Sequence, residues 1–240
     1  IKKAVGKDEG KNGGAGIGGG RGAGATVTIS GGTIGSQDST GIVHKNDGAF
    51  SSGGAAIGGG AGASDDTTVT ISKVLIYNAE GRDGGAGIGS GANSSKATTI
   101  NISGEAFIQK ATGGTGGAGI GGGKNSSGET KVNISGGEVH ASTGYGNGGA
   151  GIGGGKQSKG KTKIDISGDA LVSAGSSGGA AIGSGESSTG ETTINIHDTT
   201  AGKGVKSAFA YGGAGIGSGE SAKGETHVTI SNASVSTLET

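Results

Sequence analysis

The chain has 240 residues; 63 are glycine, none is proline, cysteine, methionine or tryptophan, and 19 basic and 19 acidic residues cancel. Glycine without proline and without a strict every-third-residue spacing excludes collagen, and the absence of cysteine excludes disulfides and thiolate metal sites. With Arg21 and Arg82 as the only arginines there is no basic stripe for nucleic acid, and no apolar run approaches the roughly 20 residues of a membrane-spanning helix.

Aromatic residues make up only 2% of the chain, a composition that would suit disorder. A disordered chain would show no fixed apolar spacing, however, and this one is built on a repeat. The first element of each unit is GGAGIGGG or a close variant, with its central isoleucine at Ile17, Ile57, Ile88, Ile120, Ile152, Ile182 and Ile216. In extended form Ala15 and Ile17 point one way and only Gly14, Gly16 and Gly18 the other. One face is then core and the other is bare, which leaves it open to close approach by a second molecule.

The second element is T-x-[VI]-x-I-S. Its last isoleucine lies at Ile29, Ile71, Ile102, Ile134, Ile166, Ile196 and Ile230, 14 residues beyond the first in six units and 12 in unit one. Alternating β-branched and polar residues predict a half-buried strand, and the Ser-Gly that usually follows predicts a turn. Unit six departs from this pattern, with His197-Asp198-Thr199-Thr200 in place of the turn. The third element is a short strand with one inward residue, placed five residues on at Ile34, Ile76, Phe107, Val139, Leu171, Ala201 and Val235. The return to the next GGAGIGGG varies from 11 to 23 residues. Each unit is thus read as a rigid half and a loose half, the latter a protruding loop.

Three short strands per unit predict an all-β fold: a right-handed parallel β-helix (β-solenoid) of about seven coils of roughly 32 residues. Stacked coils place isoleucine on isoleucine, and at about 4.8 Å per coil they make a rod roughly 30–35 Å long. Residues 1–240 form one repeat domain. Because the chain starts at Ile1 without methionine, it is read as an excised segment of a larger protein.

GGAGIGGG followed by a polar loop, T-x-I-x-I-S-G-G-x-V and a glycine-rich return resembles the glycine-rich repeats of large surface proteins of Gram-positive, often gut-dwelling, bacteria. The resemblance covers about Gly13 to Val235. It implies a β-helix in an extracellular, cell-wall-linked setting, described as carbohydrate-binding-like or adhesin-like, with a polysaccharide or a host surface protein or glycan as partner. It carries over no functional residues.

The residues themselves favour binding over catalysis. Seven glycine segments with no helix after them do not match a dinucleotide site. They also lack the aspartate of the calcium-binding glycine nonapeptides. The outward column of the second element reads Thr28, Thr70, Asn101, Asn133, Asp165, Asn195 and Thr229. The next reads Thr26, Thr68, Thr99, Lys131, Lys163, Thr193 and His227. A column with one acid flanked by lysines is not a general acid–base pair, whereas a flat polar face suits a sugar chain. The six residues from Thr28 to Asn195 are therefore candidate ligand contacts. Tyr145 and Tyr211, just before a glycine segment, are candidate aromatic contacts. The four histidines, His44, His140, His197 and His227, share no spacing, so no metal or other cofactor is expected. The expected protein is a non-catalytic binding or adhesion module without nucleic-acid partner or membrane insertion, able to self-associate through its glycine face. The alternatives are a passive spacer or self-assembling stalk segment, a polysaccharide-active enzyme built on loop acids such as Asp38, Asp47, Asp65 and Asp66, or an ice-binding protein.

Overall fold

The computed structural model describes residues 1–6, 13–38, 40, 44, 46–144 and 146–236. Among them there is no helix, and the strands form three parallel sheets. Sheet I holds seven two-residue Ile-Gly strands, from Ile17–Gly18 to Ile216–Gly217. Sheet II holds seven strands of the T-x-[VI]-x-I-S element, from Thr26–Ile29 to Thr226–Ser231. Sheet III has nine, from Lys3–Gly6 to Gly204–Tyr211. Each strand pairs with its counterpart one coil on, so the chain is a β-solenoid of about six turns, roughly 32 residues apart.

The isoleucine spacing dictates sheet I. Ile17, Ile57, Ile88, Ile120, Ile152, Ile182 and Ile216 pair in one unbroken ladder. The five inner ones are fully buried, and each side chain so removed from water stabilises the fold by about 1.5–3 kcal/mol. Each also donates its N–H to the next coil, as Ile120 does to Gly151 O at 3.0 Å and Ile152 to Ala181 O at 2.8 Å.

The glycine surface is not open as expected. Gly116–Gly123 is buried throughout, as are Gly84–Ala92 and Gly53–Gly60. Gly89, Gly121 and Gly153 hold φ of 137°, 137° and 130°. A Cβ on any of them would collide with the carbonyl of the glycine one coil on. The bare faces therefore meet one another inside the chain, and backbone lies on backbone. A second molecule has no access to them at the inner coils, which corrects the route expected for self-association.

In sheet II the inward ladders are as read: Val69, Ile100, Val132, Ile164 and Ile194, and Ile71, Ile102, Ile134, Ile166 and Ile196, all buried. A third inward ladder escaped the sequence reading. Thr67, Thr98, Thr130, Thr162 and Thr192 are buried beside Ser90, Ser94, Ser126, Ser158, Ser184 and Ser188, making one corner of the core polar. Hydrogen bonds satisfy much of it, as burial of hydroxyls requires. Ser94 Oγ donates to Gly91 O at 2.8 Å and Ser188 Oγ to Gly185 O at 2.7 Å. Gly123 N–H donates to Ser90 Oγ at 2.8 Å and Gly219 N–H to Ser184 Oγ at 2.9 Å.

Sheet III differs most from expectation. The loose half is a strand, not a loop, in the middle and later coils: Phe107–Gly113, Glu138–Thr143, Leu171–Ser177 and Gly204–Tyr211. Its inward residues include a run of alanines: Ala4, Ala49, Ala79, Ala111, Ala141, Ala174 and Ala208. The other inward ladder is Ile34, Ile76, Ile108, Val139, Val172, Val205 and Val235. Phe107, Leu171 and Ala201, expected in that ladder, are not in it; Phe107 and Leu171 are half-buried neighbours of the true inward residues and Ala201 is exposed. The turn after sheet II is one residue longer in those coils, where Ala106 and Ala170 fill the corner, and longer still in unit six. Since side chains alternate, a one-residue shift swaps inside for outside.

Candidate ligand-binding face

The outer surface of sheet II carries the candidate residues. Because the strands are parallel and in register, Thr28, Thr70, Asn101, Asn133, Asp165 and Asn195 stand in one continuous column that continues to Thr229. The column is exposed at its ends and half-buried between them, with steps of about 4.8 Å set by strand spacing. Thr26, Thr68, Thr99, Lys131, Lys163, Thr193 and His227 form the parallel column on one side. All six sheet-II candidates are thus brought together on one face.

The face has two chemical halves. From Thr26 to Asn101 it is neutral, with hydroxyl and amide groups that donate and accept. Asn133 Nδ2 donates to Asn101 Oδ1 at 2.7 Å, which fixes both amides. From Lys131 onward it is charged. Lys163 pairs with Glu129 at 2.7 Å and Lys161 with Glu191 at 2.8 Å. The hydrogen bond and charge of Glu191 raise the Lys161 pKa, and those of Lys161 lower that of Glu191.

His197 contacts two carboxylates, Asp198 Oδ2 through Nδ1 at 3.0 Å and Asp165 Oδ1 through Nε2 at 3.2 Å. These contacts, the one to Asp198 first, raise its pKa above the ordinary histidine value. Asp198 is lowered by His197 and by Asn232, whose Nδ2 donates to Oδ1 at 3.2 Å. The departure of unit six from the Ser-Gly turn thus becomes a structural feature: Asp198 adopts φ 47° where Gly104 and Gly168 take φ 61°, and its carboxylate supports the histidine.

Of the aromatic candidates, Tyr211 does not join this face. Tyr211 ends a strand of sheet III, not a loop, is 60% exposed, and packs edge-on against Phe209 at 4.7 Å between centroids. Tyr145 lies outside the described residues. Phe50, another aromatic in a return segment, is buried beneath Arg82, whose guanidinium carbon lies 5.6 Å from the ring centre. Of the loop acids, Asp47 contacts Ser36, Asp38 accepts from Thr40 Oγ1 at 2.6 Å, and Asp66 accepts from Ala97 N–H at 3.1 Å. They stand on different stretches of the coil: Asp38 and Asp47 precede Gly48–Ser51 of sheet III, while Asp65 and Asp66 lead into Thr67–Ser72 of sheet II. Among the described residues no group of three or more histidine or acidic side chains is arranged to hold a metal ion.

One concavity was missed. At the corner between sheets II and III a groove of about 500 Å³ is lined by Glu105, Phe107, Gly137, Glu138, Asp169 and Lys203, among others. The turn at Gly136-Gly137 is one residue shorter than those at Glu105 and Asp169, so it lies between two longer ones. Within reach of this rim, His140 Nε2 lies 2.9 Å from Glu138 Oε1. The signal for the groove was the unequal turn length.

No family model matches the chain, and neither a curated protein nor a solved structure matches it.

Proposed function

We propose that the chain is a non-catalytic binding module of a bacterial cell-surface protein, recognising an extended polysaccharide or a host surface component along the outer face of sheet II. The observation that carries this reading is the unbroken column from Thr28 to Asn195, flanked by a second column of threonines and lysines. Hydroxyls and amides at a constant step suit a linear, repetitive, hydroxyl-rich ligand. Holding them on a hydrogen-bonded sheet lowers the ordering cost of binding. The neutral charge balance and lack of cysteine accord with an extracellular setting in an organism that does not rely on disulfides.

The test is a glycan array run beside a panel of host surface proteins, with the wild-type chain, the double variant Asn101→Ala/Asn133→Ala, and Tyr211→Ala. Saturable binding that weakens at least about tenfold in the asparagine variant, equivalent to about 1.4 kcal/mol, is the expected result. Loss only in Tyr211→Ala would move the site to sheet III. Absence of binding to every sugar and protein would overturn the reading in favour of a spacer.

A further inference from the structure

In the polar corner beside sheet I, the residue after each Ile-Gly strand is either glycine or serine: Gly19, Gly59, Ser90, Gly122, Gly154, Ser184 and Ser218. Where it is serine, its hydroxyl serves the backbone of the next coil. Ser90 Oγ accepts from Gly123 N–H at 2.8 Å, and Ser184 Oγ accepts from Gly219 N–H at 2.9 Å. Where it is glycine, that service is missing. The equivalent donors one coil on from Gly122 and Gly154 are the N–H groups of Gly155 and Gly185. Both residues are buried, and among the described residues neither N–H has an acceptor. Buried backbone donors are nearly always paired, with protein groups or with ordered water.

Hydroxyls converge on the same two places. The point a Cβ would take at Gly122 lies 3.1 Å from Ser126 Oγ, 3.1 Å from Thr130 Oγ1 and 3.2 Å from Gly155 N. At Gly154 that point lies 3.1 Å from Ser158 Oγ, 3.2 Å from Thr162 Oγ1 and 3.3 Å from Gly185 N. Ser126 is 3% exposed, and its Oγ is buried without a partner among the described residues. Ser158 Oγ shares a hydrogen bond with Ser188 Oγ at 3.1 Å, and a hydroxyl can make more than one. Each glycine thus faces one N–H donor and two hydroxyls. A buried water needs two to four such partners and room for about one solvent probe. The room is that of a hydroxymethyl group, since serine stands at this step in units three and six on the same unbroken isoleucine and glycine ladder. An apolar occupant would leave all three polar groups unpaired. Gly59 differs: Thr67 Oγ1 lies 2.6 Å from the corresponding point, so the threonine hydroxyl itself takes up the space.

We propose that Gly122 and Gly154 each mark a binding site for one buried water molecule. The water accepts from the glycine N–H of the next coil and donates to the serine and threonine hydroxyls of its own coil. It stands in for the hydroxyls of Ser90 and Ser184, so the hydrogen-bonded corner continues through units four and five. The two sites do not depend on what the sheet II face binds.

The experiment is NMR cross-relaxation between water and the backbone amides of the isotope-labelled full chain. The Gly155 and Gly185 amide protons are expected to give cross-peaks with the sign of a water that tumbles with the protein. Gly123, whose N–H is bonded to Ser90 Oγ, is the control and should give none. It also lies beside a hydroxyl, so a signal relayed by hydroxyl exchange would appear there as well. Gly122→Ser should abolish the Gly155 cross-peak and leave that of Gly185, and Gly154→Ser should do the reverse. Serine is native to this step in other coils, and unchanged amide shifts in the remaining coils verify the fold. Each site is judged on its own amide: it is overturned by a missing cross-peak, by one no stronger than that of Gly123, or by one that survives the serine substitution.

Discussion

Sheets I and III of the same coil tolerate sequence change in opposite ways. Sheet I uses two residues per coil, and its glycines lie against the backbone of the coils above and below. Sheet III uses up to eight residues, takes in register shifts between Ile108 and Ala111 and between Val172 and Ser173, and is split into two strands in the first two coils. Where backbone packs on backbone, neither a side chain nor an insertion fits. Where the strands are long and their inward side chains small, an extra residue is absorbed as a bulge.

Two glycine substitutions should give the largest separation between these regions. Gly121→Ala would impose a φ of 137° on an alanine and drive its Cβ into the Gly153 carbonyl. Loss of more than about 3 kcal/mol is expected, given both strain and overlap. Gly175→Ala lies in sheet III, where the nearest atoms to a new Cβ are 3.9 Å and 4.0 Å away. There, the relief of glycine's entropy should stabilise the chain by roughly 0.5–1 kcal/mol. Urea unfolding of the two variants checks both signs, and equal losses would remove the distinction.

A smaller effect sharpens the comparison at the polar corner beside sheet I. Ser90 and Ser184 accept hydrogen bonds from the backbone of the next coil, but Gly122 stands at the same step with no hydroxyl to offer. A Cβ there would lie 3.2 Å from Gly155 N and 3.1 Å from Ser126 Oγ, and Ser126 Oγ is buried without a partner. Gly122→Ser should add the missing bond and raise stability by about 0.5–1.5 kcal/mol, read as a higher urea midpoint at unchanged slope. Gly122→Ala, which has the bulk without the hydroxyl, should not reproduce the gain.

The smallest effect concerns the charged half of sheet II. The raised pKa of His197 means that its contribution to stability is full below the unfolded value of about 6.5 and is lost as pH rises through the higher folded value. Asp198 works in the other direction: its lowered pKa gives a contribution present above the unfolded value of about 3.9 and lost as pH falls through the folded one. An NMR titration should place the His197 midpoint above 6.5, and Asp198→Asn should bring it down. A midpoint unmoved by that substitution would disconnect the pair.

Much of this architecture was legible in the sequence because its strongest signals are large residues at fixed spacing. The isoleucines of sheet I and the alternation in sheet II placed three ladders and every member of the Thr28–Asn195 column. What escaped lay in small residues. Ala111, Ala141 and Ala174 build the second half of sheet III, but alanine carries little strand preference and reads as loop among Gly and Ser. Thr98 and Ser94 look like surface residues until a partner such as the Gly91 carbonyl is seen. The ladder residues Ile108 and Val172 lie one residue beyond the position that a constant spacing predicts, because the turns before them are one residue longer. Tyr211 reads as a loop residue in the sequence because the strand that carries it has no large inward residues near its end.

Gly121 meets Gly153 as Gly89 meets Gly121, and Ile120 stands between Ile88 and Ile152 with the same neighbours that each of them has. In sheet I a coil in the middle of this molecule is therefore interchangeable with the next. Tandem duplication or loss of a whole unit of about 32 residues keeps the isoleucine and glycine ladders of that sheet continuous, so copy number sets the length of the rod while the face it displays keeps its pitch.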